Sequence, residues 1–191
     1  MTSSTSTTTR PSSRALDASA VNDLAGRLRG RVFAPNAPGY DEARTIWNAM
    51  IDKRPAIIAR CAGAADVRHA VRFAQDQGLV IAVRGGGHNI AGSALIDGGL
   101  VIDLSAMKSV RVDPAQRTAT VEPGVTLAEF DHDVQAFGLA TPVGINSTTG
   151  IAGLTLGGGF GWLSRTYGMT VDNLRSADVV TVSGELVKAN D

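Results

Sequence analysis

Lysine is scarce in this chain, cysteine nearly absent and aromatic residues few. Each shortage removes a class of function. Only Lys53, Lys108 and Lys188 are lysines, and eighteen basic residues stand against eighteen acidic ones, for a formal net charge of zero. A chain so balanced exerts no long-range pull on nucleic acid or an anionic membrane. It also has no basic run and no basic stripe interleaved with aromatics. Cys61 is the single cysteine, which excludes an internal disulfide and a cysteine-rich zinc site. His69, His88 and His132 are too dispersed to form a metal cluster, and H-E-x-x-H is missing, so no metal is expected. No apolar run approaches the length of a membrane span. Residues 1–15 are rich in Ser and Thr and lack the apolar stretch of a secretory signal, so they read as a disordered tail. A reducing, cytoplasmic compartment is the expectation.

Glycine is plentiful, and two runs of it dominate the chain: Arg84-Gly85-Gly86-Gly87-His88-Asn89 and Gly157-Gly158-Gly159-Phe160-Gly161. Glycine lets backbone N–H groups approach a ligand with no side chain between. Two such loops in one small domain suggest a large phosphate-bearing ligand gripped from two sides, with the His88 imidazole beside it. Neither run is a dinucleotide fingerprint, because the third glycine position after Gly85 and Gly87 is Ile90. No G-K-[ST] and no G-x-S-x-G occurs, which disfavours nucleotide hydrolysis and a serine nucleophile. Arg84 is read as pairing either with a phosphate or with Asp103.

Periodicity places these loops among helices and strands. Leu16 to Leu28 reads as a helix, and Asp41 to Ile51 as a second with Ala43, Ile46, Trp47 and Met50 on one face. Ala56 to Ala59, Leu79 to Val83 and Leu100 to Ile102 are apolar enough for buried strands. The helix carrying Val67, Ala70, Val71 and Ala74 joins the first two into a parallel β-α-β element and stops at Gly78. Val110 to Asp113 and Thr118 to Glu122 form a hairpin around Asp113-Pro114. Thr126 to Glu129 is a capping box opening a helix with Leu127, Phe130, Val134 and Phe137 inward. Thr141 to Gly161 reads as a long loop, Gly161 to Tyr167 as a short helix, and Ala177 to Val182 with Leu186 to Ala189 as a last hairpin. Cys61, Trp162 and Tyr167 are expected in the core, His69 and His132 in solvent. The closing strand has no successor, so the domain is expected to be incomplete at its C-terminus.

At these residues a resemblance emerges. Val83 to Gly92 resembles the FAD loop of flavoproteins of the vanillyl-alcohol oxidase and p-cresol methylhydroxylase (PCMH) type. Val101 to Ser105, Glu122 to Val125 and Thr149 to Gly159 follow in the same order, similar to the berberine-bridge-enzyme-like FAD-linked oxidases. The resemblance runs from about Tyr40 to the last residue. It implies an α+β fold: a helical lead-in over residues 16–53, then a two-lobed PCMH-type FAD-binding domain over 54–191, truncated, with the substrate domain absent. It implies FAD as cofactor, held by Arg84, Gly85, Gly86, Gly87, His88 and Asn89, with Gly92 and Ser93 following. Ser147, Thr148, Thr149, Gly150 and Gly153 match the second loop, which Gly157, Gly158 and Gly159 line. Val179 and Val180 match a strand by the adenine. His88 falls on the histidine that bonds the flavin 8α carbon. The cysteine that makes a second bond in many members is replaced by Asn146.

The resemblance further implies an oxidase-type FAD-dependent oxidoreductase that takes a hydride from a C–H next to a hydroxyl or amine of a small molecule. Molecular oxygen is the expected acceptor. It assigns no general base to any residue of this chain. Two alternatives stay open: a non-catalytic, truncated flavin-binding fragment, and a reductase of the same fold with non-covalent flavin.

Overall fold

The computed structural model describes residues 16–190; the Ser/Thr-rich stretch 1–15 lies outside them. The element order is α1 (Ala18–Arg27), β1 (Arg31–Phe33), α2 (Tyr40–Ala43), β2 (Ile57–Arg60), α3 (Ala64–Gln77), β3 (Ile81–Arg84) and β4 (Leu100–Asp103), followed by β5 (Val110–Asp113), β6 (Thr118–Val121), α4 (Leu127–Gln135), α5 (Ile151–Leu156), α6 (Ser164–Tyr167), β7 (Ser176–Val180) and β8 (Leu186–Asn190). The architecture is mixed α+β, and among the described residues no helix is long and apolar enough to cross a membrane.

A four-stranded sheet in the order β1-β2-β4-β3 forms the first lobe. β2, β4 and β3 run parallel, and β1 adds antiparallel to β2. The β-α-β element is present, but β4 inserts between its two strands. β4 is buried along its whole length, as its continuous apolar run requires of a central strand. β3 therefore lies at an edge, and Val83, expected in a buried strand, is 54% exposed. One face of the sheet packs Ile57, Ala59, Leu100 and Ile102 against Leu24 of α1 and Ala70, Val71 and Ala74 of α3. The other face packs Ile58, Val101 and Ala82 against Phe33, Tyr40 and Leu95. Burying Ile57, Ile58, Leu100, Val101 and Ile102 contributes on the order of 1.5–3 kcal/mol each. A smaller second lobe gathers Val125, Phe130 and Val134 with the inner residues of the β5–β6 hairpin.

Several expectations change. The helix read over Asp41 to Ile51 amounts only to Tyr40–Ala43. Beyond it, the Trp47 N–H donates to the Gly87 carbonyl and the Asn48 side chain to the Ile90 carbonyl. Tertiary bonds to the first glycine loop thus replace helical ones. The lead-in also supplies β1, which periodicity did not indicate because three residues are too few to show alternation. The expected loop from Thr141 to Gly161 contains α5. Phe137 is half exposed, because α4 ends before it. Trp162 and Tyr167 are not core residues but 87% and 62% exposed. Cys61 is fully buried as expected, and burial, then the neighbouring Asp66 and Asp103 charges, pushes its thiol pKa up to about 12.

Candidate flavin site

The three parallel strands end in register, with Arg60, Asp103 and Arg84 side by side. The fully buried Asp103 carboxylate takes Arg84 Nη2 at 2.6 Å, Arg60 Nε at 2.7 Å and the Ser105 N–H at 3.0 Å. Burial opposes its ionisation, but the Arg84 charge and these hydrogen bonds outweigh burial and hold its pKa below the ordinary aspartate value. Arg84 also donates to the Ala43 and Thr45 carbonyls. Of the two partners read from sequence, its guanidinium therefore has Asp103.

Just past this row, at the carboxyl ends of β3 and β4, a cleft of about 320 Å³ opens, the usual place for a ligand in a parallel sheet. Its floor is Gly85, Gly86, Gly87 and His88, and its sides include Trp47, Ser105, Lys108, Thr126 and Thr148. The backbone N–H groups of Gly85, Gly86, Gly87, His88 and Asn89 donate to no other described residue. Of these, Gly85, Gly86, Gly87 and His88 line the cleft, where free backbone donors suit a ligand rich in acceptors, as a pyrophosphate is. Gly87 sits at φ +72°, a left-handed conformation that turns the loop at this point.

The second loop arrives through α4. Glu129 reaches back to the Thr126 N–H at 2.7 Å and takes Lys108 Nζ at 2.6 Å. The Leu127 and Ala128 N–H groups then bind the Thr149 and Ser147 carbonyls. This hangs residues 147–150 over the first loop, so that Gly86 and Gly150 meet backbone to backbone. Across the join, Thr148 Oγ1 lies 2.9 Å from His88 Nε2. Trp47 stacks on the imidazole with ring centroids 5.1 Å apart. Removal from water lowers the His88 pKa below the ordinary histidine value, with the Thr148 backbone opposing the shift, so the ring is neutral at pH 7.

The structure thus brings together Arg84 to Asn89 and Ser147 to Gly150. Asn89 Oδ1 accepts the Ser93 N–H, and Gly92, at φ +71°, packs under Ile51. Gly157, Gly158 and Gly159 lie apart from the cleft lining, where the Gly158 and Gly159 carbonyls accept the Val171 and Thr170 N–H groups. Val179 and Val180 are on β7, also away from the lining, and Gly153 is inside α5. Trp47, Lys108 and Thr126 are cleft residues that sequence reasoning missed. Ser105 and Gly124 stand in quoted motifs and could have been found there. Trp47 had no signal, since its role depends on where the chain crosses the glycine loop. Among the described residues, no group of three His, Cys, Asp or Glu side chains is placed to hold a metal ion.

Comparison with known proteins agrees with this geometry. The family described as the FAD binding domain matches residues 55–190. The chain is 40% identical to (R)-6-hydroxynicotine oxidase of Paenarthrobacter nicotinovorans, over 86% of this chain and 36% of that protein. It is 32% identical to the xylooligosaccharide oxidase of Thermothelomyces thermophilus, over 90% of this chain and 35% of that protein. The solved structure of the Physcomitrella patens BBE-like 1 protein superposes with a TM-score of 0.85 at 32% identity, covering 89% of this chain and 37% of that one. The chain therefore spans little more than a third of the length of these relatives. The cofactor of the family is FAD, and the unpaired N–H cradle with its neutral histidine fits that cofactor. Sequence and fold together make the chain a member of the FAD-binding domain family, in its PCMH-type, berberine-bridge-enzyme-like branch.

Proposed function

We propose that this chain is the FAD-holding part of an oxidase-type oxidoreductase that removes a hydride from a substrate C–H next to a hydroxyl or amine, and that His88 carries the flavin covalently. The observation that carries the reading is the row of unpaired N–H groups from Gly85 to Asn89, in which a neutral imidazole stands beside the cleft. Bound FAD supplies the hydride-accepting ring, which molecular oxygen then reoxidises; the protein binds and orients it.

The loop from Gly85 to Asn89 offers its N–H groups to the pyrophosphate, and Ser147 to Gly150 close over it. By the family resemblance, Gly92, Ser93, Gly153, Gly157, Gly158, Gly159, Val179 and Val180 hold the rest of the cofactor. His88 would hold the flavin through its 8α carbon, the imidazole giving up its N–H hydrogen and the 8α methyl one hydrogen, with molecular oxygen as the two-electron acceptor reduced to hydrogen peroxide. The relatives named for a hydroxynicotine and a xylooligosaccharide support small substrates bearing amine or hydroxyl groups.

Mass spectrometry of the denatured, FAD-treated chain tests the reading. The expected result is one FAD retained on wild type and on Cys61→Ser, and none on His88→Ala. An unmodified wild-type mass, or flavin retained on denatured His88→Ala, would overturn covalent attachment through His88.

A further inference from the structure

The hydrogen bonds around His88 determine which of its nitrogens carries the proton. Asn146 Oδ1 accepts the Thr148 backbone N–H at 3.0 Å, so the oxygen of that amide is the atom turned toward Thr148. The Thr148 hydroxyl lies 2.8 Å from the same oxygen. A carbonyl oxygen only accepts, and a hydroxyl has a single proton, so that proton goes to Asn146. Thr148 Oγ1 has only lone pairs left to offer His88 Nε2 at 2.9 Å. Nε2 is therefore the donor. A neutral imidazole holds one N–H, which leaves Nδ1 with its lone pair. Trp47, stacked at an interplanar angle of 23°, fixes the plane of the ring.

We propose that Thr148, itself oriented by Asn146, is a positioning residue that keeps the His88 proton on Nε2 and leaves Nδ1 unprotonated to bond the flavin; the inference rests on the reading of His88 as the attachment site. The sequence separates the three residues into two loops. Only the meeting of Gly86 with Gly150 aligns them.

Long-range ¹H–¹⁵N correlation spectra of the flavin-free chain, with histidine labelled, read the tautomer directly. Wild type is expected to show His88 protonated on Nε2, with a slowly exchanging Nε2–H. Asn146→Ala frees the hydroxyl to donate to Nε2 and moves the proton toward Nδ1. Thr148→Val loses the slow exchange, and Thr148→Ser restores it. Covalent FAD incorporation should slow about tenfold in Asn146→Ala and Thr148→Val, the scale of one neutral hydrogen bond, and recover in Thr148→Ser. A wild-type His88 protonated on Nδ1 overturns the inference. So does a tautomer and exchange rate unchanged in both variants. If either variant fails to fold, the wild-type tautomer and Thr148→Ser decide. Flavin retained on denatured His88→Ala defeats the attachment reading alone, whereas its loss there with unchanged behaviour in Thr148→Val and Asn146→Ala defeats only this inference.

Discussion

Arg84 and Asp103 end adjacent parallel strands in register, and their buried side chains meet at 2.6 Å. The pair sits directly beneath the glycine loop and ties the strand that feeds the loop to the centre of the sheet. Without Arg84 the buried Asp103 carboxylate keeps only Arg60 and the Ser105 N–H as partners. Arg84→Ala should therefore destabilise the fold by about 1.5–3 kcal/mol, measurable as a shift in the urea midpoint. Asp103 also links stability to pH. Its folded pKa is depressed, so its contribution is present above the ordinary aspartate value of about 3.9 and is lost as pH falls below it. Asp103→Asn should flatten the acid limb of the stability profile, and an unchanged limb would contradict this role.

Gly86 illustrates a glycine required by approach and not by φ. A Cβ on it would lie 2.5 Å from Gly150 Cα, and a Cβ on Gly150 would lie 2.7 Å from Gly86 Cα. Both obstacles are backbone, so neither can swing aside. Gly86→Ala should cost roughly 1–3 kcal/mol in overpacking and open the join between the two loops. Gly26, inside α1 with open space around its Cβ position, is the control. Gly26→Ala should stabilise by about 0.5–1 kcal/mol. Equal denaturation midpoints for the two variants would refute the argument.

His88 should stay neutral to lower pH than a free histidine. An NMR titration of its ring in the flavin-free chain is expected to give a midpoint below about 6.5, since burial lowers the value against the opposing Thr148 backbone. The sign for stability follows: the unfolded chain takes up the proton first, so stability drops as pH falls below that range. A midpoint above the free value would mean that a nearby anion dominates.

Cys61 should be inert. With its thiol pKa pushed up to about 12 and no exposed surface, it should react with a thiol reagent only after unfolding. Between the ordinary thiol value of about 8.5 and the folded one, stability should fall as pH rises. Rapid labelling of native protein at pH 8 would show that the strand end opens.

Much of the secondary structure was legible in the chain because its signals are local. The apolar run at Leu100–Ile102, the helical spacing of Val67 to Ala74 and the capping pair Thr126–Glu129 each act within a few residues. The glycine loop and His88 were legible for the same reason. What local signals could not carry was the path of residues 44–52. There, bonds from Trp47 to Gly87 and from Asn48 to Ile90 overrode a helical pattern. They also missed the insertion of β4 between the strands of the β-α-β element, which exposed Val83.

The sequence by itself determined the inventory: two glycine loops, an imidazole at the end of one, and the strands and helices that carry them, since propensity and periodicity are properties of neighbours along the chain. Only the tertiary structure decided the partners. Arg84 faces Asp103 because three strands end in the same register. His88 faces Thr148 and Trp47 because residues sixty and forty-one positions away are folded against one loop. Such contacts are set by the packing of the two lobes, a long-range balance of burial and close approach that no window of the sequence contains.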